Sequence, residues 1–120
     1  MAKILVVDDE PAIRNLLIEV LEDEGHVVVA APNGRTALDL AARERPDLVL
    51  TDVMMPEIDG LEMLRRLQAA PELAGVPVVL MSAANGTLPA NPGAVAFVPK
   101  PFDLEHILAV IGRALGNDGH

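Results

Sequence analysis

The sequence predicts an open α/β sheet of parallel strands with helices on both faces. Five short apolar runs have the length of strands: Ile4 to Val7, Val27 to Ala31, Leu48 to Thr51, Val78 to Met81 and Val95 to Val98. Each run is continuously apolar rather than alternating, the pattern of strands covered on both sides. Helical periodicity lies between most of them, and alternating strand and helix patterns build right-handed βαβ units.

The first connection carries Ile13, Leu16, Leu17, Val20 and Leu21 at i, i+3, i+4, i+7 and i+8, an amphipathic stripe that Gly25 ends. In the second, Ala37, Leu38, Leu40 and Ala41 lie between Gly34 and Pro46, and in the third Leu61, Met63, Leu64 and Leu67 follow Gly60. Both predict helices of ordinary length. The fourth, "SAANGTLPANPGA", holds two glycines and two prolines. Proline in a helix interior costs about 3 kcal/mol relative to alanine, so a short or degenerate helix is expected there. Leu104, Ile107, Leu108, Ile111 and Leu115 restore the stripe until Gly116, and the tail "GNDGH" is expected to fray.

A chain of 120 residues makes one domain, with one core and no internal repeat or linker. Hydrophobic residues reach 51%, yet no apolar run approaches the roughly 18 to 20 residues of a membrane span, so a soluble protein is expected. The start, "MAKILVVDDE", lacks the form of a signal peptide, and there is no cysteine, both of which fit a cytoplasmic protein. A formal net charge of -9 repels a phosphate backbone, and with two phenylalanines and no tyrosine or tryptophan there is no stacking platform for single strands. Direct nucleic-acid binding is therefore not expected.

In open α/β sheets ligands gather beyond the carboxyl ends of the strands. Here the first strand ends in Asp8, Asp9 and Glu10, the third in Asp52, the fourth in Ser82 and the fifth in Lys100. If the first and third strands are neighbours, carboxylates converge. Two like unit charges at 4 Å repel by about 1 to 4 kcal/mol between water and a protein surface, so the cluster calls for a cation. Oxygen-only ligands favour a hard divalent ion, Mg²⁺ where water and phosphate oxygens complete the shell, with Mn²⁺ a substitute. Carboxylate, metal, ammonium and hydroxyl together describe phosphoryl transfer, and an aspartate can itself be the acceptor.

"ILVVDDE", "DLVLTDVMMPEIDG", "VVLMSA" and "VPKPF", in that order and spanning nearly the whole chain, resemble the receiver domain of bacterial two-component response regulators. The resemblance implies a flavodoxin-like (βα)5 doubly wound sheet of five parallel strands in the order 2-1-3-4-5. It implies that Asp52 accepts a phosphoryl group from a sensor histidine kinase or a histidine phosphotransfer protein. Asp9 and Asp52 would ligate Mg²⁺ directly, Asp8 mostly through a metal-bound water, and Met54 through its backbone carbonyl. Ser82 and Lys100 would bind the phosphoryl oxygens, and Phe97 takes the place of the aromatic switch residue. The output would be a changed surface around the fifth strand and the last helix, read by a downstream protein that the sequence does not name. The short fourth connection departs from the family, and a reshaped surface is expected there. A stand-alone regulator or phosphorelay intermediate is expected, and an excised receiver would read identically.

Each residue also has a plainer role. Asp8 and Asp9 could cap a helix whose first turn holds Pro11, and Asp52 could open the turn "MMPEIDG". Lys100 is one of only two lysines beside seven arginines, and a flexible ammonium suits a single phosphoryl contact. Ser82 alone is a common small residue after a strand, and Phe97 reads equally as a core aromatic. Met54 and Met55 read as gap fillers, and His26, His106 and His120, too scattered for a metal site, as exposed. Pro99 in a strand requires an edge. The competing function is a receiver-like interaction module that is never phosphorylated. An aspartyl-phosphate hydrolase lacks a second general acid, and a flavin carrier lacks the aromatics to hold the ring. Nucleotide binding lacks G-x-G-x-x-G and G-x-x-x-x-G-K-[ST].

Overall fold

The computed structural model describes residues 2–55, 57–83, 96–100 and 103–116, with the backbone alone at 82, 83, 99 and 100. The apolar runs become strands β1 (Lys3–Val7), β2 (Val27–Ala31), β3 (Leu48–Asp52), β4 (Val78–Ala83) and β5 (Ala96–Lys100). Between and after them lie helices α1 (Pro11–Asp23), α2 (Gly34–Glu44), α3 (Gly60–Ala69) and α4 (Leu104–Ala114). All strand pairs are parallel, in the order β2-β1-β3-β4-β5. The expected short helix of the fourth connection falls on residues 84–95, outside the described residues.

The continuous apolar runs are explained by two cores, one on each face of the sheet. Leu5, Val7, Val49 and Leu80 pack with Ala37 and Ala41 of α2 and Met63, Leu64 and Leu67 of α3. Ile4, Val6, Leu48, Leu50, Val79 and Met81 face the opposite way, against Leu17 and Leu21 of α1 and Ile107, Val110 and Ile111 of α4. Alternate residues of one strand thus enter different cores. Burial of a large aliphatic side chain contributes about 1.5 to 3 kcal/mol, so no position in β1 or β3 can be polar cheaply until the strand ends.

The edge strands differ. Val27 at the start of β2 is 48% exposed and Phe97 in β5 is 37% exposed, because each edge has a neighbour on one side only. Pro99 sits in β5, the edge that a residue without an N–H requires. The α1 stripe is also less fully covered than its periodicity suggests. Leu17 and Leu21 are buried, whereas Leu16 is 42% exposed.

Helix boundaries follow from local chemistry. After α1, Gly25 adopts φ 91°, its N–H bonds to the Glu22 carbonyl, and the His26 N–H bonds to that of Leu21. This paired arrangement satisfies the last carbonyls and turns the chain into β2. Asn33, Asp59 and Asp103 cap α2, α3 and α4, each accepting a backbone N–H from the first turn. His26 is half-buried, and its Nδ1 accepts the Ala2 N–H at 3.2 Å, which corrects the expectation of a solvent-exposed side chain.

Candidate functional site

The register of the sheet brings the acidic strand ends together. Val7 pairs with Thr51, so Asp8 and Asp52 leave neighbouring strands side by side. Both are buried, Asp8 fully and Asp52 with 4% exposed. Carboxylate oxygens of Asp8, Glu10 and Asp52 all lie within 4.8 Å of one another. Asp9, the neighbour expected to bind a metal directly, is exposed and lies outside this triplet.

Backbone donors hold the two buried acids. The Glu10 N–H donates to Asp8 Oδ1 at 2.9 Å, and the Met54 N–H donates to Asp52 Oδ1 at 3.2 Å. Arg14 of α1 donates to the Asp8 carbonyl at 2.8 Å, fixing the turn that follows β1. On the far side of Asp52, the Val53 N–H bonds to the Met81 carbonyl, which ties the loop after β3 to β4.

The loop from Val53 to Asp59 returns to the acceptor strand. The Gly60 N–H bonds to the Val53 carbonyl at 2.9 Å, and a Cβ on Gly60 would collide with the Asp52 backbone oxygen and come within 2.9 Å of Val53 Cα. A glycine is therefore required where α3 begins against Asp52. Within this loop Glu57 takes φ 66°, a left-handed conformation unusual for a side chain of its size. Met55 is 9% exposed in the core, as a gap filler should be, but Met54 is 68% exposed and fills no gap. Only its backbone is engaged, through the bond to Asp52.

Ser82 and Lys100 lie in β4 and β5 near their carboxyl ends, where Ser82 pairs with Pro99 and Ala83 with Lys100. Asp52 pairs with Met81, so the backbones of these residues share the sheet end that carries the acidic triplet. Their side chains lie outside the described atoms. Phe97 pairs with Leu80 and is partly exposed, so it is not an enclosed core aromatic.

The donors fit a hard divalent cation: carboxylate oxygens from buried, backbone-held side chains, with neither sulfur nor imidazole among them. Sequence reasoning placed Glu10 among the acids at the end of β1 but gave it no part in the site. Three consecutive acids do not reveal which of them turn inward.

Comparison with known proteins decides the family. A sequence model described as the response regulator receiver domain matches residues 4–112. The chain belongs to the response regulator receiver domain family. It is similar to response regulator MprA of Mycolicibacterium vanbaalenii, with 40% identity over 98% of the chain and 53% of that protein. It therefore spans about half the length of that regulator. It is also similar to sporulation initiation phosphotransferase F of Bacillus subtilis, with 41% identity over 94% of the chain and 93% of that protein. Among solved structures, the receiver domain of sensor histidine kinase PA1611 from Pseudomonas aeruginosa superposes with a TM-score of 0.87 and 26% identity, covering 96% of this chain and 98% of that one. That structure has a magnesium ion coordinated in its active site cleft. Receiver domains are signalling switches activated by phosphorylation of an aspartate. Among the described residues, no helix is long and apolar enough to cross a membrane.

Proposed function

We propose that this receiver is a cytoplasmic switch whose phosphoacceptor is Asp52, loaded by a sensor histidine kinase or a histidine phosphotransfer protein. The observation that carries the reading is Asp52 itself: a carboxylate only 4% exposed, at the carboxyl end of a strand paired to the one that delivers Asp8. In the transfer, an Asp52 carboxylate oxygen forms a bond to phosphorus as the phosphorus–nitrogen bond of phosphohistidine breaks. The electron pair stays with the imidazole nitrogen. Loss of the group to water returns phosphate and the free carboxylate, so the domain assists its own resetting.

Asp8, Asp9, Asp52 and the Met54 carbonyl would hold Mg²⁺, or Mn²⁺ in its place. The ion supplies neutralising charge for the equatorial phosphoryl oxygens. Asp8 and Asp52 are oriented for this by the Glu10 and Met54 N–H groups. Lys100 and Ser82 bind the phosphoryl oxygens. Two charge-assisted hydrogen bonds at roughly 1.5 to 3 kcal/mol each give about 3 to 6 kcal/mol. Moving a two-state equilibrium from 1:99 to 99:1 takes about 5.5 kcal/mol, so the bonds are of the size a switch needs. Phe97, partly exposed on β5, reorients with the Ser82 loop and changes the surface that β5 and α4 offer to a downstream protein.

Incubation with acetyl phosphate and Mg²⁺, followed by intact mass measurement, tests the reading. Wild type is expected to gain one phosphoryl group, and Asp52→Asn none. No gain in wild type would leave the domain as an interaction module that binds its partners without phosphorylation.

A further inference from the structure

We infer that Glu10 is a further ligand for the divalent cation, a third carboxylate that raises the metal affinity of this receiver above what Asp8 and Asp52 provide. The inference deepens the reading proposed above and rests on it. Its basis is the triplet: the Glu10 carboxylate lies within 4.8 Å of those of Asp8 and Asp52, although the residue is exposed and its side chain has three torsions with which to leave.

Local structure explains why Glu10 can turn inward. It is the N-cap of α1, at φ -94° and ψ 112°, and its side chain makes no capping hydrogen bond. Pro11, first in α1, lacks the N–H that a cap would otherwise satisfy. The Glu10 N–H meanwhile binds Asp8 Oδ1, so backbone and side chain of one residue act on the same site. The backbone positions a buried ligand, and the carboxylate adds a flexible one at the rim.

The spacing suits an octahedral oxygen shell. Metal–oxygen bonds of about 2.1 Å put opposed ligands roughly 4.2 Å apart and adjacent ones about 3 Å apart. Carboxylates within 4.8 Å need only a small contraction to reach those positions. Coulomb attraction to a divalent ion a few ångströms away, across water and moderate salt, is expected to make the added carboxylate worth about five- to thirtyfold in affinity.

The chain has no tryptophan or tyrosine, so the measurement is a Mg²⁺ titration followed by amide ¹H–¹⁵N spectra, read at Glu10, Val53 and Met54. The variants are Glu10→Gln and, as a control for net charge, Glu22→Gln, an exposed carboxylate on the same helix. Glu10→Gln is expected to raise the dissociation constant at least fivefold with an unchanged melting temperature in EDTA, and Glu22→Gln less than twofold. An affinity within twofold of wild type for Glu10→Gln, or equal weakening by Glu22→Gln, overturns the inference. If wild type still gains a phosphoryl group from acetyl phosphate in that case, the switch reading survives and only the role of Glu10 falls. If wild type shows no saturable shift at these amides and no mass gain, both fall together.

Discussion

Two groups of acidic side chains in this domain are held in opposite ways. On α3, Glu62 accepts hydrogen bonds from Arg65 and Arg66, three and four residues further along the same helix. At the strand ends, Asp8, Glu10 and Asp52 gather from two strands that are far apart in the chain, with like charges as mutual neighbours. Charge neutralised within one helical turn is a local device worth little at an exposed surface. Charge concentrated by long-range strand pairing costs stability, and a fold keeps such a cost where a ligand offsets it.

Gly60 joins the two regions, since it starts the helix that carries Glu62 and packs against the backbone of Asp52. The largest effect is therefore expected from Gly60→Ala. A methyl group there must displace the Asp52–Val53 backbone, at a cost of about 1 to 3 kcal/mol typical of overpacking, and phosphoryl uptake from acetyl phosphate should fall with it. Gly75→Ala is the comparison, because a Cβ at Gly75 meets nothing within 4 Å. Urea unfolding of both variants is the check. Equal stabilities would mean that the loop gives way, and that α3 does not brace the acceptor.

A smaller effect of opposite sign is expected inside the cluster. Asp52→Asn removes one charge but keeps an oxygen for the Met54 N–H, so in EDTA the variant should be more stable than wild type by about 1 kcal/mol. Added Mg²⁺ should then raise the melting temperature of wild type and leave Asp52→Asn nearly unmoved. A variant less stable than wild type in EDTA would show that the gathered carboxylates are not under net repulsion, and the contrast with α3 would weaken.

How far the sequence disclosed all this depended on whether one segment or several fixed each feature. Ile4 to Val7 announced a strand covered on both faces, and the structure divides those four residues between two cores. Val27 to Ala31 reads much the same, yet Val27 is largely exposed, because edge position is a property of sheet order and no single strand encodes it. The stripe on α1 included Leu16, which periodicity cannot separate from Leu17 when only the neighbouring elements decide which is covered. Asp8 and Asp52 were legible as strand-end acids. That Glu10 turns toward them while Asp9 stays exposed is set by the turn after β1, where the Arg14 bond to the Asp8 carbonyl and the Pro11 helix start fix the backbone. Met54 looked like core and is 68% exposed, since the chain leaves the sheet immediately after Asp52.

The smallest effect is expected at Glu62, and pH separates it from the others. The hydrogen bonds from Arg65, and then from Arg66, hold its carboxyl at about 2, below its ordinary value of 4.5. The folded form thus releases this proton more readily than the unfolded chain. The stabilisation is fully present above about 4.5 and is lost as pH falls toward 2. Glu62→Gln should therefore melt slightly below wild type at neutral pH, converge with it near the acid end, and differ less in high salt, because all three partners face water. Phosphoryl uptake should be unchanged throughout. A deficit that persists at pH 2 would mean that Glu62 acts through packing or through its place in the first turn of α3 rather than through its arginines, and would remove the local half of the contrast.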